Sequence, residues 1–154
     1  YREAFQRTHK KPAPPPLYID FCYCDKDAGR AEEMARKHLA VNYLSILKHY
    51  EFMADYHKEI KGYEAYGQAA SFLNSLGMEA AVNDYITHQA WGTPQQILDK
   101  LEKRRTIVGD FEWNSIVSYG GMPYDAAEKS MRLIGKEVMP EIRKWKPIEV
   151  KAAA

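Results

Sequence analysis

Cys22 and Cys24 are the only thiols in this chain of 154 residues. They are too few and too close together for a disulfide framework, so a reducing, cytoplasmic setting is the expectation. An excess of one charge is also missing. With 22 basic residues against 21 acidic ones and a net charge of +1, the chain has no electrostatic footprint for nucleic acid. No apolar run approaches the ~20 residues of a membrane helix, which excludes a membrane-spanning reading. The five histidines include no pair at i, i+4 around a glutamate, and the cysteines lack the two-residue gap of zinc or redox pairs. No metal site is therefore expected, and His49, Asp55 and His57 read as solvated polar positions. A glycine-rich phosphate loop is absent too, because Gly120-Gly121 lacks both the spacing and the following lysine. An initiator methionine is lacking as well. The chain opens at Tyr1, within what already reads as a helix, and so reads as a fragment.

What is present alternates between two periods. Tyr1 and Phe5 have helical spacing, and Lys10-Lys-Pro-Ala-Pro-Pro-Pro16 must then be extended, since prolines remove donors and push the preceding residue out of the helical region. Leu17 to Cys24 reads as a strand. Leu17, Ile19, Phe21 and Tyr23 share one face, taken as the helix-packing surface, and Tyr18, Asp20, Cys22 and Cys24 share the other. From Asp25 to about Glu59 the pattern is helical, with Asp27 as the cap and Ala31, Met34, Ala35, His38, Leu39, Tyr43, Ile46 and Leu47 on the stripe that faces the core. A break is expected between Tyr50 and Tyr56. Lys61 to Gly77, punctuated by Gly62, Gly67 and Gly77, reads as short helical pieces and turns within an irregular, lid-like region of about residues 61–88.

Regular structure resumes at Ile86 to Gly92, read as a short strand. Thr93-Pro-Gln-Gln96 is a strong helix start, combining an N-cap, a proline in the first turn and a capping-box partner. Phe111 to Tyr119 reads as another strand, Gly120-Gly121 ends it, and Pro123 opens a helix with Ala127, Met131, Ile134, Val138 and Ile142 on its buried side. Residues 146–154 read as a flexible tail. Parallel strands alternating with helices define an α/β protein.

In α/β folds ligands sit at the carboxyl ends of strands. The first strand offers Cys22 and Cys24 there, with Asp20 deeper. The last offers Ser118, Tyr119 and the Gly120-Gly121 backbone, and His88 and Trp91 approach from between. Each also has a plain reading: the thiols as small apolar fillers, the glycines as a tight turn.

Several blocks together resemble the closing segment of the bacterial luciferase-like flavin monooxygenases. They are Trp91-Gly-Thr-Pro-Gln-Gln-Ile-Leu-Asp-Lys-Leu101, Gly109-Asp110, Gly120-Gly-Met-Pro-Tyr-Asp125, Ser130-Met-Arg-Leu133 and Glu137-Val-Met-Pro-Glu-Ile-Arg143. Upstream, Tyr1-Arg-Glu-Ala-Phe5, the strand Leu17 to Cys24, Ala31-Glu-Glu-Met-Ala-Arg-Lys-His-Leu39 and Gly62-Tyr63 keep that family's order, so the resemblance runs from Tyr1 to about Trp145.

The resemblance implies that residues 1–145 are the C-terminal half of a (β/α)8 TIM barrel. Leu17 to Cys24 would be its sixth strand, Gln89 to Gly92 its seventh and Glu112 to Tyr119 its eighth. It implies reduced FMN from a separate flavin reductase, with molecular oxygen and a small organic substrate as the other reactants. The alternatives are a deazaflavin-dependent oxidoreductase and a non-catalytic flavin-binding half-barrel. Partners would be the N-terminal half of the barrel and, in a dimer, a second copy. Tyr119 takes the catalytic role. Ser118, Gly120 and Gly121 take cofactor binding, and Asp20, Cys22, Cys24, His88 and Trp91 line the substrate.

Overall fold

Proline dictates how the chain begins. The computed structural model describes residues 1–148, except the side chain of Asp55. Helix α1 (Arg2–His9) stops at Lys10, which takes a left-handed conformation, and the proline run then leads in extended form to strand β1 (Leu17–Phe21). The predicted strand is interrupted at Cys22 and resumes as β2 (Tyr23–Cys24). Asp27 caps α2 (Ala28–His49), accepting a hydrogen bond from the Arg30 amide at 2.7 Å. The expected break follows at Tyr50, where Glu51 has a positive φ and a short 3₁₀ turn covers Asp55–Glu59.

The stretch expected to hold short helical pieces and turns is more regular than that. It forms α3 (Glu64–Leu76) and α4 (Met78–His88), separated by Gly77 at φ 82°. Gly67 lies inside α3 for a packing reason: a β-carbon there would come within 3.0 Å of the Lys58 backbone. Helix α4 also takes Ile86 to His88, so the strand read there shrinks to β3 (Trp91–Gly92). The capping box of Thr93 and Gln96 forms and opens α5 (Pro94–Val108). Strand β4 (Glu112–Ile116) is shorter than expected and leaves Ser118 and Tyr119 in the loop beyond it. Pro123 caps α6 (Tyr124–Leu133), which runs through a π-turn at Ile134–Val138 into α7 (Met139–Ile142). On this rod Ala126, Ser130, Ile134 and Val138 are buried, whereas Met131, expected inside, is exposed. Of the expected tail, Lys146 to Ile148 are tied to α5 and Asp110, and residues 149–154 lie outside the described residues.

All strand pairs are parallel. β1 pairs with β4, from Leu17 opposite Glu112 to Phe21 opposite Ile116, and β2 pairs with β3. The segment Leu17 to Cys24 thus meets β4 along its first part and β3 along its second, in two separate two-stranded sheets. A barrel places sequential strands side by side, so the expected succession of sixth, seventh and eighth strands is not the order formed here. Sequence periodicity identifies strands without specifying their neighbours. What the structure shows is an α/β protein, mostly helical, with a few short parallel strands.

Two buried clusters cover opposite faces at β2. Tyr23 packs with Ala35 and Leu39 of α2, Ile86 of α4, and Tyr119 and Met122. Cys22 and Cys24 pack with Ile97 and Leu101 of α5 and with Ile134 and Val138. The expected helix-packing face holds at Phe21 and Tyr23, which lie against α2 and α4, and fails at its start. Leu17 and Ile19, placed there by alternation, are 57% and 53% exposed, and the face assigned to ligands is the one under α5. Alternation says which residues share a face, but only the crossover helices decide which face is covered.

Candidate functional site

The loop after β4 turns back on itself, the Met122 amide donating to the Tyr119 carbonyl at 2.9 Å. Gly120 and Gly121 make the turn with φ of 54° and 70°, the left-handed region in which side chains are costly. Gly120 has a second constraint. A β-carbon on it would lie 2.1 Å from the His38 carbonyl oxygen of α2. The approach is fixed by the His38 ring, whose Nδ1 lies 2.8 Å from the Gly120 carbonyl. A carbonyl only accepts, so Nδ1 carries the proton, and in the neutral ring Nε2 is left as an acceptor.

Two residues of this junction, His38 and Tyr119, each carry a buried polar atom without a partner. Neither His38 Nε2 nor Tyr119 Oη has a hydrogen-bond partner among the described residues, and Tyr119 is only 8% exposed. Buried groups are nearly always paired, and His57 Nδ1 is a further buried atom of this kind. The Tyr119 ring stands edge-on to Phe21, with centroids 5.3 Å apart. Burial, then the neighbouring Cys22, Tyr85 and Tyr23, pushes its phenol well above the usual range, so Tyr119 stays a neutral donor. Nearby, Asn42 of α2 donates to Tyr85 Oη at 3.2 Å, and Tyr85 stacks on Tyr43. One neutral O–H and one imidazole acceptor at the carboxyl ends of the strands can polarise a substrate oxygen and receive a proton.

The other expected site residues go elsewhere. Asp20, 3% exposed, accepts from Arg104 Nη1 at 2.5 Å and Nη2 at 2.9 Å, and from Trp113 Nε1 at 2.8 Å. It is a buried structural ion pair under α5. The Cys22 thiol donates to the Asp20 carbonyl, and burial, then the Asp20 charge, raises it well above the usual thiol range. Burial pushes Cys24 up to about 12, with Glu137 and Asp25 adding to it, and its amide donates to Ser130 Oγ at 2.9 Å. Both thiols stay protonated inside the core, which is the filler reading. His88 is exposed on α4, hydrogen-bonded to the Asp84 carbonyl. Trp91 donates to the Ile86 carbonyl and lies beneath the Lys100 ammonium, 4.0 Å from its ring centroid. Lys100 also donates to the Gln89 carbonyl, and burial lowers it to about 8 against the pull of Asp20. Ser118 is exposed at the rim beside Tyr119.

Of the residues expected to gather, Ser118, Tyr119, Gly120 and Gly121 form one loop, Trp91 packs against the buried cluster that holds Tyr119, and Cys22 is a neighbour of its phenol, whereas Asp20, Cys24 and His88 are held by the partners given above. Sequence reasoning missed His38, which it placed on the core stripe of α2, and Arg104, which stands 84 residues from Asp20. The one local signal for His38 is a histidine on an otherwise apolar stripe. Among the described residues no three His, Cys, Asp or Glu side chains converge as a metal site would require. No helix among them is long and apolar enough to cross a membrane.

Comparison with known proteins agrees with the α/β class. No protein-family model matches the chain, and no curated protein matches its sequence. Among solved structures it is similar in fold to the monooxygenase RslO1 from Streptomyces bottropensis, with a TM-score of 0.54 and 20% sequence identity. The similarity covers 92% of this chain and 36% of RslO1, so the chain spans little more than a third of that protein. At this identity the likeness is one of fold.

Proposed function

We propose that this chain is part of a flavin-dependent monooxygenase that uses reduced FMN, delivered by a separate reductase, and molecular oxygen to oxidise a small organic substrate. The observation that carries the reading is the pair of buried, unpartnered polar atoms, Tyr119 Oη and His38 Nε2, at the strand ends. The blocks from Trp91 to Arg143 and the fold likeness to a monooxygenase support the same class. The location does not depend on barrel closure. Open parallel sheets also bind ligands beyond the strand carboxyl ends, and the Tyr119 loop follows the carboxyl end of β4.

The residues present fit the ring end of a flavin. Tyr119 and His38 offer a donor and an acceptor, and Ser118 and the Gly120-Gly121 backbone border them. They do not build a phosphate site, since Arg104 and Arg105 are committed to Asp20 and Asp110. Bound reduced flavin supplies the electrons that activate oxygen. The chain's own contribution is then positioning. Tyr119 Oη donates to an oxygen on which charge develops, His38 Nε2 accepts a proton, and Ile86 and Met122 keep water out.

The test is oxygen uptake by the intact enzyme with reduced FMN and a panel of small aldehydes. Tyr119→Phe is expected to lower kcat by about 10²-fold, the usual cost of one preorganised donor, with Tm unchanged. Unaltered turnover removes Tyr119 from the site. Oxidation of a reduced deazaflavin without oxygen uptake moves the assignment to a deazaflavin oxidoreductase, and neither activity moves it to a non-catalytic flavin-binding protein.

A further inference from the structure

The end of β4 opposite Tyr119 holds a cavity that the strand-end site does not use. It measures about 270 Å³. Phe111 and Trp113 from the start of β4, Leu101 and Arg105 from α5, Ile142 from α7 and Trp145 beyond it form the walls. Three of these six are aromatic. The polar part of the lining is neutralised internally. Arg105 Nε donates to Asp110 Oδ1 at 2.6 Å, and Nη2 donates to the Lys146 carbonyl. The Arg105 guanidinium also lies 5.3 Å from the Trp145 ring centroid. Asp110 Oδ2 in turn accepts from the Ile148 amide at 3.0 Å, so Lys146 to Ile148 strap the mouth to the rest of the protein.

Size, shape and charge select the occupant. An apolar cavity of ~150 Å³ holds one benzene ring, so this one has room for two fused rings. Walls of Trp and Phe favour a flat π-system over a branched aliphatic one. Because the one cation and the one anion of the lining already neutralise each other, a charged ligand would be desolvated without a counter-charge. We propose that this cavity is a binding site for a small, planar, uncharged bicyclic aromatic molecule of the indole or naphthol class. It is separate from the strand-end site and does not depend on flavin chemistry.

The test is a titration of 2-naphthol into the ¹⁵N-labelled 154-residue chain, read at the indole N–H signals of its three tryptophans. Trp113 and Trp145 should shift saturably. Trp91, which is absent from the lining and donates to the Ile86 carbonyl, should stay in place. Ile142→Trp, which fills the cavity, and Trp145→Ala, which removes a wall near the chain end, should each weaken binding at least tenfold. The second variant keeps the test valid if the first misfolds. The anion 2-naphthoate should bind at least tenfold more weakly than 2-naphthol. Equal shifts at all three tryptophans, no saturable shift, affinity unchanged in the folded variants, or tighter binding of the naphthoate would each overturn the proposal.

Discussion

Gly120 and Gly121 differ in one physical respect, and that difference can be measured. Both have positive φ, so alanine at either position costs about 1–2 kcal/mol of backbone strain. At Gly121 the new β-carbon meets nothing within 4 Å, and the strain is the whole effect. At Gly120 it meets the His38 carbonyl oxygen at 2.1 Å, the His38 carbonyl carbon at 3.0 Å and the Asn42 amide at 3.3 Å. These are backbone atoms of α2 and have no rotamer in which to retreat. Loop and helix must part by roughly 1 Å in a close-packed interior. That movement strains the packing by ~1–3 kcal/mol and stretches the His38–Gly120 hydrogen bond, a further ~1–3 kcal/mol for a buried pair. Gly120→Ala should therefore cost at least ~2 kcal/mol more than Gly121→Ala, a Tm difference of ~4–8 °C for a protein of this size. Urea denaturation of both variants, with the His38 ring signals followed by NMR, is the assay. Losses equal within ~0.5 kcal/mol, or His38 signals alike in both, would refute the close approach on which the site rests.

Three further outcomes follow from the packing beneath α5 and from the buried thiols. Asp20→Asn removes the charge that Arg104 and Trp113 surround and should cost ~3–5 kcal/mol by denaturation; a loss under ~1 kcal/mol would mean the pair is solvated. Thr93→Ala should cost ~1 kcal/mol through the lost cap, with oxygen uptake intact if the strand-end reading is right. Unfolded thiols titrate near ~8.5, whereas the folded ones titrate much higher, Cys24 at about 12. Above pH ~9 the unfolded chain releases protons that the native state keeps, so stability is full below the unfolded value and falls by ~1.4 kcal/mol per pH unit per thiol. Cys24→Ala should make that alkaline slope shallower by the same amount, and an unchanged slope would place the thiol in contact with water.

The sequence by itself determined the local elements and their ends. Proline stopped α1, Asp27 and Thr93 started α2 and α5, and residue type marked Leu17–Cys24 and Phe111–Tyr119 as strands, the second longer than the Glu112–Ile116 that forms. These are signals between residues a few positions apart, where propensity and capping act. The loop from Ser118 to Gly121 was legible as a strand-end site for the same reason. Tertiary structure decided everything that depends on neighbours distant in sequence. It paired β1 with β4 and β2 with β3, put α5 over Asp20 and the cysteines, and turned three expected ligand-lining residues into an ion pair and two core fillers. It also brought His38 of α2 to the Gly120 carbonyl, 82 residues away, and left the Tyr119 hydroxyl buried without a partner. Which face a helix covers is set by competing burials across the whole chain, and no spacing within one strand records the result.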